Sequence, residues 1–322
     1  MTGWYSITPS GAVAIGNLTP VGQNSGQVGC RWPPNGHHLA ACLNLPKDCQ
    51  LWGPFYYFER DVYLTLPLPV YSLVSSESIP KDIFRMQWQE DKQWQVRPEH
   101  EGKEIEIIGG RYLIDGVSLK NFWKEGKCEN VELKKLPWDT ITLSQNSREN
   151  FQVKDEGGFF AEMTTLMLPG WSILVKIIGN YTLTSQWGLL GAGKTPVVIT
   201  PIPRVADKWL EAECPHPTGA ILLTAALWQN GTNKTSIPFP FPQESIKAYA
   251  AEMGIPWQSW KRVRNRHDNN DWVQVLTPGE WITPAGAVYL WNGVAPLQQS
   301  GPLPDKFNRH VLGYGHLWLF ED

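Results

Sequence analysis

The sequence predicts two α/β halves of similar plan, divided near Pro203, and three observations lead there. The chain has 322 residues, 42% of them hydrophobic and 18% charged, enough apolar material for two cores and too much for a disordered chain. Its 26 prolines and 29 glycines break helices, which argues for short strands and many turns rather than a helical bundle. The third observation is an internal echo. Leu190-Gly191-Ala192-Gly193-Lys194 runs into the apolar stretch Pro196–Ile202, and Leu312-Gly313-Tyr314-Gly315-His316 runs into Leu317-Trp318-Leu319-Phe320, so each half closes on a glycine-rich loop and a strand.

Taken in order, Trp4-Tyr5-Ser6-Ile7-Thr8 alternates and reads as the opening strand, followed by a loop punctuated by Gly11, Gly16, Gly22, Gly26 and Gly29. In Arg31-Trp32-Pro33-Pro34-Asn35-Gly36-His37-His38-Leu39-Ala40-Ala41-Cys42-Leu43, Asn35 is placed to cap a short helix. Its first turn carries both histidines, and Leu39, Cys42 and Leu43 supply an apolar stripe. Leu51–Phe55 and Val62–Pro69 read as extended segments, the second near a sheet edge because of its prolines. Residues 81–135 mix charges of both signs with little sustained periodicity, which predicts an exposed insertion. Gly158–Leu168 and Trp171–Ile178, joined by Pro169-Gly170, read as a hairpin. The second half opens with a strand at Gly219–Thr224 and is expected to carry a helix from Gln243 to Met253.

Composition excludes several classes. With 28 Lys+Arg against 31 Asp+Glu the net charge is −3, so there is no global basic field and any nucleic-acid contact must come from local clusters. Cys30, Cys42, Cys49, Cys128 and Cys214 form no CxxC pair and are odd in number, which signals neither a zinc site nor a disulfide framework and fits a reducing, cytoplasmic compartment. No run of about 18 apolar residues occurs, and Met1–Tyr5 lacks the blocks of a secretory signal, so neither a membrane span nor signal-directed export is expected. His216, His267, His310 and His316 show no metal-ligand spacing, and no metal or cofactor is expected. The common hydrolase, metalloprotease and dinucleotide-binding signatures are missing.

Gly188-Leu189-Leu190-Gly191-Ala192-Gly193-Lys194-Thr195 matches the P-loop pattern letter for letter. A P-loop needs a helix after Lys-Thr so that its first amides face the phosphates, whereas Pro196–Pro201 is a β-type run. The reading here is therefore a loop whose Gly191 and Gly193 let backbone approach a neighbour or ligand, with Lys194 able to neutralise a phosphate. His37 or His38 offers a general base for RNA cleavage, but adjacent helix residues diverge, and a packing or hydrogen-bonding role stands beside that reading. Lys261-Arg262-Val263-Arg264-Asn265-Arg266-His267, following Trp257 and Trp260, suits single-stranded RNA, with Arg262, Arg264 and Arg266 on phosphates and rings on bases. A solvated loop, its charge partly cancelled by Asp268 and Asp271, is the alternative. Seventeen tryptophans fit interfaces, stacking surfaces, carbohydrate binding or ordinary core.

The run from Arg31 to Ala41 resembles the aromatic-Pro-Pro loop and first helix of the third Cmr subunit of type III-B CRISPR effectors, a RAMP-type protein. Further similarities follow in order: Leu51-Trp52-Gly53-Pro54-Phe55, Gly158-Phe159-Phe160-Ala161-Glu162, Leu190–Lys194, Thr283-Pro284-Ala285-Gly286-Ala287-Val288-Tyr289 and Gly313-Tyr314-Gly315-His316. Ser10–Asn17 stands where that family carries an Arg-Asp-Gly-type signature. The resemblance implies an α+β fold of two ferredoxin-like (RRM-type) halves, at 1–203 with the charged insertion near 81–135, and at 204–322. It also implies a noncatalytic subunit of a type III or variant type III complex. Such a subunit holds the 5′ tag of the CRISPR RNA and bridges the large polymerase/cyclase-like subunit to the first backbone RAMP subunit. Its RNA contacts would fall on Arg31, Trp32, Asn35, Gly36, His37, His38, Gly191, Gly193, Lys194, Arg309, Gly313, Tyr314 and Gly315, and its tryptophan surplus largely on subunit interfaces. A RAMP-type endoribonuclease using His37 or His38, and a tryptophan-rich carbohydrate-binding protein, are the alternatives.

Overall fold

The computed structural model describes residues 2–16, 27–89, 93–146, 148–149, 152–153, 159–206, 208–229, 236–237, 246–258, 260–264, 272–277, 279–293 and 295–321. In the first strand, β1 (Thr2–Pro9), Trp4 and Ser6 point to one face and Tyr5 and Ile7 to the other, and all four are buried. A strand buried on both faces belongs inside a sheet that is covered twice.

That sheet has eight strands. After β1 and the helix α1 (Gly36–Cys42) come β2 (Gln50–Phe58), β3 (Asp61–Thr65), β4 (Tyr112–Asp115), the helix α2 (Gly116–Glu125), β5 (Lys134–Lys135), β6 (Ser172–Ile178), β7 (Gln186–Leu190) and β8 (Thr195–Ile202). Their order is β5-β4-β3-β2-β6-β1-β8-β7, and every pairing is antiparallel. One face, with Tyr5, Ile7, Leu51, Ile173, Val175 and Ile199, is covered by Leu39, Cys42 and Leu43, the apolar stripe expected at α1. The other face, with Trp4, Trp52 and Leu174, packs with α2 and a second sheet. The second sheet has five strands, β9 (Gly219–Leu222), β10 (Ile246–Ala250), β11 (Val288–Trp291), β12 (Gly301–Pro302) and β13 (His316–Phe320), ordered β10-β11-β9-β13-β12 and again antiparallel.

This architecture corrects the expected α+β pair of ferredoxin-like halves. Among the described residues 47% are in strands, and several small antiparallel sheets stand besides the two large ones. Among the described residues α1 and α2 are the two α-helices, and neither follows β9. Where a helix was expected from 243 to 253, residues 246–250 form β10, and residues 243–245 lie outside the described part. Ala248 is buried between exposed Lys247 and Tyr249, a period of two that a helix cannot satisfy, and Gly254 and Pro256 disfavour its continuation.

The segment 81–135 is an exposed insertion only in part: its described residues from Arg85 to Ile107 are exposed or half-buried apart from His100, whereas its two ends enter the core. Ile83, Phe84, Ile108, Leu113, Ile114, Leu119, Phe122, Trp123, Val131 and Leu133 are all buried. Its strands are two to four residues long, too short to show a period, while its charges occupy the outward positions. α2 is locally well specified: Asp115 Oδ1 accepts from the amides of Val117 (3.0 Å) and Ser118 (2.9 Å), and Gly126 at φ +72° ends it.

Two pairings also differ from expectation. The strand Phe159–Met167 does not form a hairpin with β6, because β6 is fully committed between β1 and β2; it pairs instead with Trp138–Asn146. Pro169-Gly170 thus carries the chain from one sheet to another. β3 lies inside the large sheet between β2 and β4, its prolines falling beyond its last residue.

The P-loop-like string is a hairpin turn. Leu190 ends β7 and Thr195 begins β8, with the two strands paired from Gln186↔Ile199 to Leu190↔Thr195. Gly191 has φ +76°, its missing side chain admits the carbonyl of Ala14, and the Ala192 amide donates to that carbonyl at 2.7 Å. The expected strand after Lys194 is present, so no helix N-terminus faces a phosphate. The purified chain is therefore expected to show no magnesium-dependent ATP hydrolysis above background, with or without Lys194→Ala. Turnover that this substitution abolishes would contradict the assignment.

Candidate nucleic-acid interface

A cavity of about 330 Å³ has walls that come from sequence segments far apart. Arg31–Gly36, Gly53–Tyr56, Tyr63–Thr65, Leu223–Ala225, Pro284–Ala285 and Gly313–Tyr314 all line it, with Trp138, Glu252, Ile255 and Trp257. The first wall is positioned by two bonds: the Arg31 amide donates to the Ile15 carbonyl at 2.9 Å, and Asn35 Oδ1 accepts from the His37 and His38 amides at 3.1 and 3.4 Å. That second contact is the expected helix cap.

The second wall is a bulge in β2. Phe55 pairs with Leu174 and Trp52 with Lys176, so Gly53-Pro54 faces the single residue Val175. Proline has no amide to give a ladder and is accommodated at such a bulge. Gly53 sits at φ +121°, and its carbonyl would lie 2.5 Å from a Cβ placed on Gly313. Gly313 is itself at φ +82°, and Thr224 Oγ1 donates to its carbonyl at 2.6 Å. A side chain at Gly36 would overlap the carbonyl of Leu312. Three glycines thus let α1, β2 and the turn before β13 touch backbone to backbone.

Aromatic rings dominate the lining. Tyr56 and Trp138 stack at 5.4 Å between centroids, Trp32 tilts against Trp138 at 6.2 Å, and Trp257 meets Tyr314 edge-on at 6.4 Å. Behind Tyr314, His37 Nδ1 and the tyrosine hydroxyl share a 2.8 Å hydrogen bond, and the imidazole packs 5.7 Å from Trp257. Burial raises the Tyr314 phenol above its ordinary range and lowers His37, with Arg309 adding to the latter effect. His38 is pushed down to about 4 by burial and by the neighbouring His37 and Arg31. Both imidazoles are therefore neutral near pH 7, and His37 serves as a strut beneath the cavity wall.

The structure brings Arg31, Trp32, Asn35, Gly36, Gly313 and Tyr314 together at this cavity, with His37 and His38 on the helix behind. It does not bring the other expected residues there. Gly191, Gly193 and Lys194 form the hairpin turn outside the lining. Gly315, at φ +71°, packs on Trp228. Arg264 is exposed at the end of the strand Trp260–Arg264, away from the lining; the Arg262 side chain and all of Arg266 lie outside the described residues.

Arg309 is a correction of another kind. Its guanidinium is 7% exposed and fully engaged: Nη1 donates to both Glu280 oxygens at 2.9 Å, Nε to Asp305 Oδ2 at 3.2 Å and Nη2 to the Leu227 carbonyl at 3.1 Å. A phosphate has no access to it. The tryptophans correct the expected surplus at interfaces as well. Trp4, Trp52, Trp123, Trp171, Trp209, Trp228, Trp257, Trp291 and Trp318 are buried in this chain alone, while Trp187 and Trp281 stand exposed.

The lining also contains residues that sequence reading did not select. Tyr56, Tyr63, Trp138 and Glu252 carry no motif of their own, whereas Trp257 was read as a base-stacking ring beside the basic run; Gly53-Pro54 and Pro284-Ala285 belonged to the resemblance but were not assigned a contact. Among the described residues no group of three or more His, Cys, Asp or Glu side chains is arranged to hold a metal ion. No helix among them is long and apolar enough to cross a membrane.

No family model and no curated protein matches the chain. Among solved structures, it is similar to a chain of a cryo-EM structure of the type III-B Cmr-beta complex bound to cognate target RNA, with TM-score 0.45 and 8% identity over 89% of this chain and 86% of that one. It is also similar to a chain of that complex bound to cognate target RNA and AMPPnP in state 1, with TM-score 0.43, 8% identity and the same coverage.

The buried imidazoles set a pH dependence. His316, fully buried with Nε2 donating to the Leu210 carbonyl at 3.1 Å, is also pushed down to about 4 by burial. In the unfolded chain it takes up a proton near 6.5, so between pH 6.5 and 4 the unfolded state binds more protons and the fold loses stability as pH falls. His316 alone contributes a loss of about 2 kcal/mol by pH 5. Urea unfolding midpoints at pH 7.5 and pH 5 are expected to show it, and His316→Gln is expected to flatten the difference.

Proposed function

We propose that the chain is a noncatalytic RNA-binding subunit of a type III CRISPR ribonucleoprotein, corresponding to the third Cmr subunit, and that the cavity holds the 5′ tag of the CRISPR RNA. The observation that carries this reading is the convergence on one cavity of Arg31–Gly36, Gly53-Pro54, Pro284-Ala285 and Gly313-Tyr314. These are the segments on which the sequence resemblance rests, and folding gathers four of them around one space.

The chemistry of that space suits an unpaired nucleotide. Single-stranded RNA is recognised by stacking bases on aromatic rings and by holding phosphates with cations, and a cavity of about 330 Å³ walled by tryptophan and tyrosine takes one base at a time. Arg31 supplies the phosphate contact. Binding rather than cleavage is supported by where the histidines stand: His37 Nδ1 is tied to the Tyr314 hydroxyl, both imidazoles lie on the helix behind the cavity wall, and His38, neutral down to about pH 4, offers no general acid near neutrality.

The bridging role belongs to the same proposal. β7 ends the large sheet with Trp187 and Leu189 exposed, and the ribbon Trp138–Asn146 with Phe159–Met167 exposes Leu143 and Leu166. The polymerase/cyclase-like subunit and the backbone subunit would seat on such surfaces in the cytoplasm.

Fluorescence anisotropy with a labelled single-stranded octaribonucleotide tests the RNA reading. Trp32→Ala is expected to weaken binding roughly tenfold through the lost stack. Arg31→Ala is expected to flatten the slope of log affinity against log salt by about 0.7, the signature of one lost phosphate contact. Equal affinity and equal slope in both variants, at unchanged thermal midpoints, would overturn it.

A further inference from the structure

Two charged residues line the cavity, Arg31 and Glu252, and the carboxylate is the unexpected one. Glu252 is exposed where it lines the cavity, so a ligand there meets a carboxylate that repels phosphate and can accept from donors on a base. Glu252 follows β10, and one carboxylate oxygen lies 2.8 Å from where a Cβ on Gly110 would stand. Gly110 is held at φ +77° with its amide donating to the Leu66 carbonyl at 2.8 Å, so the missing side chain leaves the space that the carboxylate fills. Among the described residues Glu252 makes no ion pair or hydrogen bond, and its accepting oxygens remain open to a ligand.

The bases differ in what they offer a carboxylate. Guanine alone presents two neighbouring donors on its Watson–Crick edge, N1–H and N2–H, which can donate in parallel to two carboxylate oxygens. Adenine and cytosine offer one amine beside a ring nitrogen whose lone pair repels the second oxygen. Uracil places its one N–H between two carbonyl oxygens. We propose that Glu252 makes the cavity selective for an unpaired guanine, stacked among the aromatic walls with its Watson–Crick edge toward Glu252 and its phosphate toward Arg31. This rests on the reading of the cavity as an RNA site and adds the identity of the base.

The experiment uses the full chain and 5′-fluorescein-labelled octaribonucleotides, all uridine except for one central guanosine, inosine, adenosine or cytidine, with the all-uridine oligomer as reference. Guanosine is expected to bind about five- to a hundred-fold more tightly than uridine, the range for a bidentate base contact. Inosine, which lacks the N2 amine, is expected between them, and in Glu252→Ala the guanosine-to-uridine ratio is expected to fall to about one. Equal affinities for all oligomers, with Trp32→Ala still weakening each of them, would overturn the guanine assignment and leave the RNA site standing. A ratio that survives Glu252→Ala would also overturn it. Absence of binding to every oligomer would remove both.

Discussion

Backbone meets backbone at Gly36, Gly53 and Gly313, and the arrangement of the cavity depends on that contact. A Cβ on Gly313 would sit 2.5 Å from the Gly53 carbonyl and 2.8 Å from that of Leu51, closer than a carbon and an oxygen can pack, and one on Gly36 would overlap the Leu312 carbonyl. Gly53 and Gly313 also occupy φ values that other residues adopt at a cost. With no side chain in the seam, the first turn of α1 comes close enough to the turn before β13 for His37 to reach Tyr314. The aromatic walls, the cap at Asn35 and the link from Thr224 to Gly313 are built outward from there.

Two buried cations are committed inside the protein and do not reach a ligand. Arg309 is neutralised inside the protein by Glu280 and Asp305. Lys176, also buried, pairs with Glu211 and lies over Trp52 at 4.9 Å and Trp4 at 5.6 Å, where it joins two halves of the core. Neutral His37 and His38 add no positive field. A site of this kind gains affinity from stacking and shape more than from long-range attraction, which is consistent with a chain whose net charge is −3.

Local features were legible wherever a short-range rule decides the structure. The cap at Asn35, the stripe Leu39–Cys42–Leu43, the opening strand and the strand after Lys194 were all readable, because each is fixed by neighbours within a few residues. Long-range commitments were not. β6 reads as one arm of a hairpin until β1 and β2 are seen to occupy both its edges. Arg309 reads as a phosphate ligand until Glu280, 29 residues away in sequence, claims its guanidinium. Residues 81–135 read as solvated because their buried side chains come singly or in pairs among charges, in strands of two to four residues and one ten-residue helix. The same holds for the cavity: its Arg31–Gly36 and Gly313–Tyr314 segments and the ring of Trp257 stood out, whereas Tyr56, Trp138 and Glu252 reach it through long-range placement that no local pattern encodes.

The central claim, that the cavity is where RNA is held, is tested most directly by photocrosslinking. The chain would be irradiated with a single-stranded RNA carrying 4-thiouridine, alone and in the complex purified from cells, and the adducts mapped by mass spectrometry. Adducts on peptides containing Trp32, Tyr56 or Trp257 are the predicted result. Adducts confined to the basic strand Trp260–Arg264 and its partner Trp272–Leu276, with none on the lining, would contradict it.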